Sequence, residues 1–342
     1  MLVGPDGQLP LPWLRGPLDA ALAQQRGHAL LVHAAPGIGA LEFALALAQA
    51  WLCEADVVSG ALSDAAASRP CGRCASCQLL QSRAHPDLNL RLPEETAVAI
   101  GWPVALDEKR KPSRQIRISE IRDAVDWIVT TSGRGRAKVL VLHPAETMNA
   151  ESASALLKTL EEPPRGARLI LTASDPARLL PTVLSRCQVL RLPAPTLEQA
   201  VAWLAGQGVA GPAVLLAAAG GRPLDALQWH LEGVTAAVWP TLPASVLAER
   251  AEAFANWPIA RVVDVMQKLC HDAATRALGG APRFFPPAAV PAGASLSALE
   301  SWQRSLQRVM RHADHPWTAA LLVESLVAEG RAALTPMDTL KR

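Results

Sequence analysis

The chain has 342 residues, of which half are hydrophobic and 19% are charged, with 33 lysines and arginines against 31 aspartates and glutamates. This composition excludes a disordered chain, and the net charge of +2 excludes a strongly basic surface, so that any contact with nucleic acid has to be local. The length predicts two or three domains.

The first residues lack the basic and apolar stretches of a signal peptide, and the sequence has no run of roughly 20 apolar residues that would span a membrane. We therefore expect a cytoplasmic protein with no membrane partner. In that compartment clustered cysteines favour metal binding or catalysis over disulfides.

The stretch from Leu30 to Leu45 has the outline of a phosphate-binding loop, because an apolar strand runs through a Pro/Gly turn into an apolar helix. A working loop ends in Gly-Lys-Ser/Thr, where the lysine reaches the β- and γ-phosphates and the hydroxyl binds Mg²⁺. Here Gly37 and Gly39 are followed by Ala40 and Leu41, which supply neither group. We expect no ATP in this site. The alternative is weak phosphate binding by the remaining backbone N–H groups.

Four of the six cysteines form a metal-binding pattern: Cys53, Cys71, Cys74 and Cys77. Two consecutive C-x₂-C steps place thiolates on one tight turn, and a structural Zn²⁺ usually takes four tetrahedral ligands. His85 is the alternative to Cys53 as the fourth ligand. An iron–sulfur cluster is the weaker interpretation, because Gln81 stands where a ferredoxin-type run has its fourth cysteine.

Short apolar runs predict buried parallel strands at 30–33, 88–92, 139–142, 169–172 and 189–192. Periodic helices between the strands imply βαβ units. We expect one helix to begin at a Ser119 cap and another at an Asn149 cap, and the segment between Arg91 and Arg114 to be a loop. After residue 195 only helical patterns continue.

Charged residues in the middle of the chain have two interpretations, a DNA-facing surface or a solvated face. The basic ones are Arg110, Lys111, Arg114, Arg117, Arg122, Arg134 and Arg136. Phosphate contact requires that such residues cluster in space, which the sequence does not show. Lys158, Glu161 and Glu162 are expected on the exposed side of their helix.

Three motifs resemble those of one family. The run from Asn149 to Pro164 resembles the signature of bacterial clamp-loader subunits, and Leu184-Ser-Arg-Cys187 resembles their Ser-Arg-Cys motif. The cysteine pattern followed by His85-Pro-Asp87 is similar as well. The chain therefore resembles the AAA+ clamp-loader family of DNA polymerase III. Without the loop lysine, it is more similar to the delta-prime branch than to the ATP-hydrolysing gamma/tau branch.

The resemblance implies a fold that is α/β and then all-α. It implies an AAA+ P-loop-type parallel αβα sheet over residues 1–195 with a zinc knuckle inserted at about 53–85, a small helical lid over 196–240 and a helical collar over 241–342. It also implies a hetero-pentamer with delta and gamma/tau, which contacts the sliding clamp and primer-template DNA through the complex.

Two further elements of the family's ATP site are altered. Active members carry adjacent acidic residues after the third predicted strand, where this chain has His143-Pro144, with Glu146 two residues beyond. The arginine that touches the γ-phosphate from the lid is replaced by Leu224, with Arg222 displaced. This pattern favours a non-hydrolysing subunit without catalysis of its own.

Arg186, the arginine of the Ser-Arg-Cys motif, is the candidate for active chemistry. The family places this arginine in the ATP site of the adjacent subunit, as an arginine finger in trans. A guanidinium suits phosphate oxygens. The alternative role is to cap the carbonyls of its own helix. For the whole chain, the alternatives are an active, gamma-like AAA+ ATPase and a zinc-dependent DNA-binding module.

Overall fold

The computed structural model describes residues 2–24, 27–55, 69–106, 110–312 and 318–335. The chain forms two compact units, Met1–Gln199 and Ala200–Arg342. The first contains the sheet, and the described part of the second is helical. Of the predicted zinc insertion at 53–85, residues 56–68 lie outside the described residues. The division of the second unit into a lid and a collar at residue 240 stays a prediction.

Five parallel strands form one sheet in the order β2-β3-β4-β1-β5. They are β1 (Ala29–His33), β2 (Leu88–Arg91), β3 (Lys138–Leu142), β4 (Ala167–Ala173) and β5 (Gln188–Arg191). All five predicted strands are present. In the register of the sheet, Leu31 lies between Leu171 and Val189. Leu30, Leu31 and Val32 are completely buried, as expected for a strand that is covered on both faces.

The helices of the first unit precede β1 or lie between the strands in the sequence. They are α1 (Arg15–Gln24), α2 (Ala40–Leu52), α3 (Ala75–Gln81), α4 (Glu94–Ala99), α5 (Ile118–Ile128), α6 (Ala150–Glu161) and α7 (Pro181–Leu184). An apolar cluster joins one side of the sheet to α5, α6 and α7, with Ile121, Leu156 and Val183 among its fully buried residues. It holds the ends of α6 and α7 in fixed positions on the sheet.

The prediction for the start of α6 is confirmed and that for α5 is wrong. Asn149 Oδ1 accepts a hydrogen bond from Ser152 N at 2.8 Å, as an N-cap should. Helix α5 begins one residue before Ser119, and the carboxylate of Glu120 accepts a hydrogen bond from Arg117 N at 2.7 Å. Glu120, the third residue of α5, therefore accepts the N–H group of Arg117 at the start of the helix, and Ser119 does not cap the helix.

The loop predicted between Arg91 and Arg114 contains a helix, α4. Its first residue, Glu94, is 5% exposed and accepts hydrogen bonds from Arg110, Ser113 N and Arg117. The hydrogen bond from Arg110 holds the pKa of Glu94 at about 2. These partners lie 16 to 23 residues away, so that local periodicity did not reveal the helix.

The second unit packs around an aromatic center. Its helices are α8 (Leu197–Gly206), which crosses the boundary, α9 (Pro212–Ala218), α10 (Pro223–Leu231), α11 (Leu242–Leu247), α12 (Ile259–Ala277), α13 (Leu296–Arg311) and α14 (Ala319–Leu334). Trp239 is completely buried, stacks on Phe285 at 4.5 Å and donates from Nε1 to Phe284 O. Among the described helices, none has the length and apolar character that a membrane span requires.

Polar contacts begin where the central strands end. His143 follows β3, and its Nδ1 lies 2.6 Å from Oγ1 of Thr172 on β4. Burial lowers the pKa of His143 to about 4, and the nearby Glu146 opposes this shift. The imidazole is therefore neutral in the folded protein at pH values where an unfolded chain would protonate it.

We predict that His143 makes stability depend on pH. Its folded-state pKa lies below the unfolded value of about 6.5, so that its contribution is complete above pH 6.5 and is lost as the pH falls toward 4, by on the order of 3 kcal/mol. Urea unfolding of the full chain between pH 4 and 7 measures this. His143→Gln should flatten the decline, and His312→Gln, on an exposed histidine, should leave it as in the wild type. Equal slopes for wild type and His143→Gln would contradict this account.

Candidate functional site

The four cysteines of the predicted metal site lie together at the end of α2. Cys53 follows the last residue of α2, Cys74 caps the first turn of α3, and Cys77 lies within α3. Their sulfur atoms and that of Cys71 all lie within 4.8 Å of one another. Cys53, Cys71 and Cys77 are buried and Cys74 is half-buried.

The geometry of these sulfurs fits a tetrahedral metal ion. Metal–sulfur bonds of about 2.3 Å in a tetrahedral site place the sulfurs about 3.8 Å apart, and those of Cys53 and Cys74 are 3.9 Å apart. The backbone N–H groups of Glu54 and Cys77 donate to Cys74 Sγ at 3.4 Å, and that of Cys71 donates to Cys53 Sγ at 3.5 Å. These bonds stabilise the thiolate form, which is the form that ligates a metal.

Charge in the cluster also favours a cation. A hydrogen bond from the Cys77 thiol holds the pKa of Cys53 below its usual range, and the same contact raises the pKa of Cys77. Two adjacent thiolates would repel each other. A divalent cation removes this conflict and deprotonates its ligands. The cluster can therefore hold a metal ion.

His85, the alternative fourth ligand, is bonded elsewhere. Its Nε2 lies 2.7 Å from Ser76 Oγ, and its Nδ1 accepts a hydrogen bond from Asp87 N at 3.0 Å. Ser76 Oγ also donates to Leu52 O. Both ring nitrogens are therefore occupied, and the structure groups Cys53 with the other three cysteines.

The N-terminal segment, residues 2–14, links the cysteine cluster to α2. Val3 exchanges two backbone hydrogen bonds with the Gln49 side chain, at 2.9 and 3.0 Å. The Gln81 amide donates to Val3 O and to Gly72 O, which gives a structural role to the residue that stands where a ferredoxin-type run has its fourth cysteine. At Gly72 (φ +72°), a Cβ would lie 1.7 Å from Gly4 O, so that only glycine fits.

The same segment packs against the loop that has the outline of a phosphate-binding loop. Trp13 Nε1 donates to Ile38 O at 2.9 Å. Gly39, at φ +106°, caps the N-terminus of α2, and a Cβ there would lie 2.3 Å from Leu11 Cδ1. Gly37 also has positive φ. The glycines of the loop are thus retained for backbone geometry and close packing, while apolar side chains lie against the loop.

The first two residues after Gly39, Ala40 and Leu41, have no polar side-chain group. Leu41 is 5% exposed and packs in an apolar cluster with Leu45 and Leu92, while Ala40 carries no charge. The carboxylate of Glu42 turns back toward the loop, so that its Oε2 would lie 3.6 Å from a Cβ at Gly39. Burial raises the pKa of Glu42. The sequence analysis missed Glu42, although an acidic first turn of a helix was visible.

Glu146 does not stand in for the missing acidic pair. It is 8% exposed, and its Oε1 accepts hydrogen bonds from Ser174 N at 2.8 Å and Ser174 Oγ at 2.6 Å. Its Oε2 has no hydrogen-bond partner among the described residues. The carboxylate therefore holds the chain after β4 in place.

Arg222, the displaced arginine, is bonded within the second unit. Its Nε donates to Ala219 O at 2.8 Å and lies 3.0 Å from the Asp225 carboxylate. Leu224 follows it in the first turn of α10. The guanidinium thus stabilises the start of α10.

Arg186 lies two residues after the last residue of α7 and is partly exposed, with 32% of its side chain accessible. Its Nη1 donates to Thr182 O at 2.8 Å and to Ser185 Oγ at 3.2 Å, and its Nη2 donates to Glu161 Oε1 at 2.5 Å. The contact with Thr182 is the helix-capping contact that was the alternative role. The contact with Glu161 was missed, because the two residues lie 25 positions apart.

Several basic residues of the predicted DNA-facing surface form ion pairs. Arg110 and Arg117 pair with Glu94, Arg114 pairs with Glu95, and Arg134 pairs with Glu54. These pairs reduce the positive charge available to phosphate. The structure therefore gives little support to a DNA-binding module built on the cysteine cluster.

Residues 18–196 match the model of the family described as DNA polymerase III, delta subunit. The chain is 38% identical to DNA polymerase III subunit delta' of Pseudomonas aeruginosa over 61% of its own length and 58% of that relative. It is 29% identical to DNA polymerase III subunit delta' of Escherichia coli over 75% of its length and 76% of that relative. The alignment thus leaves out a large part of the Pseudomonas relative.

A solved structure of a DNA polymerase III gamma subunit-related protein from Thermotoga maritima has the same fold, with a TM-score of 0.51 over 94% of this chain and 99% of that one, at 15% identity. The family match spans the sheet, the degenerate loop, the cysteine cluster and Arg186. The chain belongs to the DNA polymerase III delta subunit family.

Proposed function

We propose that the chain is a non-hydrolysing, delta-prime-type subunit of the DNA polymerase III clamp loader. It assembles with delta and gamma/tau, supplies Arg186 in trans to the ATP of a neighbouring subunit, and helps to load the sliding clamp onto primed DNA. The observation that carries this proposal is the combination of a closed nucleotide loop with a partly exposed Arg186. A subunit that cannot hold ATP can still serve a neighbour's site.

The loop supports the first half of this proposal. Working loops hold phosphate with a lysine and Mg²⁺ with a hydroxyl. Here Leu41 lies in an apolar cluster, and the Glu42 carboxylate adds negative charge beside the helix N-terminus. Like charge repels a phosphate, and the buried apolar side chain leaves no ligand for its metal. An active, gamma-like ATPase is therefore disfavoured.

Arg186 supports the second half. A guanidinium has five N–H donors, and the described contacts of Arg186 use three of them. Two donors remain for phosphate oxygens in this part of the chain. An arginine finger neutralises charge that develops on the γ-phosphate, which contributes about 10³- to 10⁵-fold in rate.

The cysteine cluster supports a structural role for Zn²⁺. Four thiolates complete a tetrahedral zinc shell and leave no open position for a substrate. In this proposal Cys53, Cys71, Cys74 and Cys77 hold the ion. The lid at 196–240 and the collar at 241–342 complete the proposed architecture, with the collar as the assembly domain.

We predict one Zn²⁺ per chain, lost in Cys74→Ser. With three ligands the affinity falls and the first unit is destabilised, because metal binding and folding are coupled. Elemental analysis after dialysis, with thermal melts in the presence and absence of chelator, measures both effects. Cys187→Ser and His85→Gln, which change residues outside the cluster, should retain the metal. Loss of metal in His85→Gln with retention in Cys74→Ser would contradict the ligand set.

We predict that the isolated chain binds Mg²⁺-ATP no more tightly than about 1 mM. Glu42→Gln should raise the affinity about tenfold, because it removes a like charge worth on the order of 1 kcal/mol beside the phosphate. Calorimetric titration measures both. Glu151→Gln, in the first turn of α6, is the control and should change nothing. Micromolar, Mg²⁺-dependent binding by the wild type would favour the active ATPase instead.

We predict that Arg186→Ala leaves assembly with delta and gamma/tau intact and lowers ATP turnover at the neighbouring site by about 10³-fold or more. Gel filtration measures assembly, and a steady-state assay with clamp and primed DNA measures turnover. Arg178→Ala, an exposed basic residue shortly before α7, is the control. Unchanged turnover would refute the finger role, and failure of the wild-type chain to assemble would refute the subunit role.

A further inference from the structure

Arg186 is held by a carboxylate from another helix. Glu161, the last residue of α6, accepts a hydrogen bond from Arg186 Nη2 at 2.5 Å. The two Nη1 bonds, to Thr182 O and Ser185 Oγ, fix the other side of the guanidinium. The side chain is therefore fixed from two directions, by its own helix end and by α6.

Both elements are anchored in the same core. Leu160, next to Glu161, is 1% exposed, and Val183, three residues before Arg186, is completely buried. Both residues belong to the apolar cluster that covers this side of the sheet. The carboxylate and the guanidinium are thus carried by rigid backbone, which is what a precisely positioned charge requires.

Helix stability does not explain the position of Glu161. The C-terminus of a helix carries partial negative charge, which disfavours an anion there. Glu161 is nevertheless followed by Glu162, so that two carboxylates lie at the unfavourable end of α6. Of these two, Glu161 is the one that contacts a cation in the described structure.

The ion pair between Glu161 and Arg186 can orient the arginine side chain, and it can still break when the arginine meets another anion. With 32% and 49% of the two side chains exposed, the pair belongs to the class of surface salt bridges that contribute little to stability. Its effect is geometric, because it reduces the number of rotamers open to a long and flexible arginine. A finger that is already oriented loses less entropy when it meets a phosphate.

We infer that Glu161 is the positioning residue of Arg186: its carboxylate aims the guanidinium at the nucleotide of the neighbouring subunit. The inference rests on the proposed function of Arg186, and it adds the residue that orients the Arg186 side chain for that function. Glu161 touches no nucleotide itself. Its contribution therefore appears only while Arg186 is present.

The test uses the reconstituted complex with the full chain, clamp and primed DNA. Glu161→Gln is expected to lower kcat for ATP about fivefold, the range of a partly exposed ion pair, with KM changed less than about twofold. Glu162→Gln removes the same charge from the same helix end and is expected to match the wild type. In an Arg186→Ala background, Glu161→Gln is expected to cause no further loss.

The outcomes separate this inference from the proposed function. If Arg186→Ala has no effect on turnover, the finger role fails and the role of Glu161 fails with it. If Arg186→Ala lowers turnover and Glu161→Gln does not, only the positioning role is overturned. A rise in turnover for Glu161→Gln would overturn it as well, because the carboxylate would then restrain the finger. An equal loss in Glu162→Gln would assign the effect to general charge at the helix end.

Discussion

Burial of the central strands on both faces is the constraint on which the first unit depends. Leu30, Leu31 and Val32 of β1 and all of β3 from Val139 to Leu142 are completely buried. A polar group in the middle of such strands would lose its hydration without a partner. The polar groups described above therefore lie outside the middle of these strands. The loop at Gly37 and Gly39, His143 and Glu146 follow the carboxyl ends of β1 and β3, and Arg186 lies two residues before β5.

Carboxylates in this unit serve the protein's own backbone and side chains. In an active nucleotide site, acidic residues hold Mg²⁺ and polarise water. Here Glu146 accepts hydrogen bonds from Ser174, Glu94 binds two arginines, and Glu42 lies at the start of α2. Each of these carboxylates lies at a loop or at a helix end. The fold thus keeps the shape of a nucleotide-binding domain by internal contacts.

Structural features that depend on short sequence spacing could be predicted from the sequence. Features that depend on partners far away in the sequence could not. The five strands were visible because buried parallel strands are continuous apolar runs, and the cysteines because C-x₂-C steps bring thiolates together locally. Helix α4 was missed because Glu94 depends on Arg110 and Arg117, and the contact between Glu161 and Arg186 for the same reason. Ser119 was chosen as a cap by residue type, whereas Glu120 satisfies that helix end. The capping contact of Arg186 was foreseen only as an alternative to its finger role, and the structure shows that a single guanidinium can make this contact and still have donors left.

The close approach of Gly72 to Gly4 has a thermodynamic consequence for the whole unit. Gly72 belongs to the cysteine cluster, and Gly4 belongs to the segment that brings Leu11 and Trp13 onto the degenerate loop. The cysteine cluster and the N-terminal segment are therefore expected to become ordered together, because Gln81 bonds to both. A metal ion that binds only the folded cluster shifts the folding equilibrium of both regions toward the ordered state by mass action. In the proposed function, Zn²⁺ bound by the four cysteines would therefore also stabilise the segment that packs against the loop at Gly37 and Gly39.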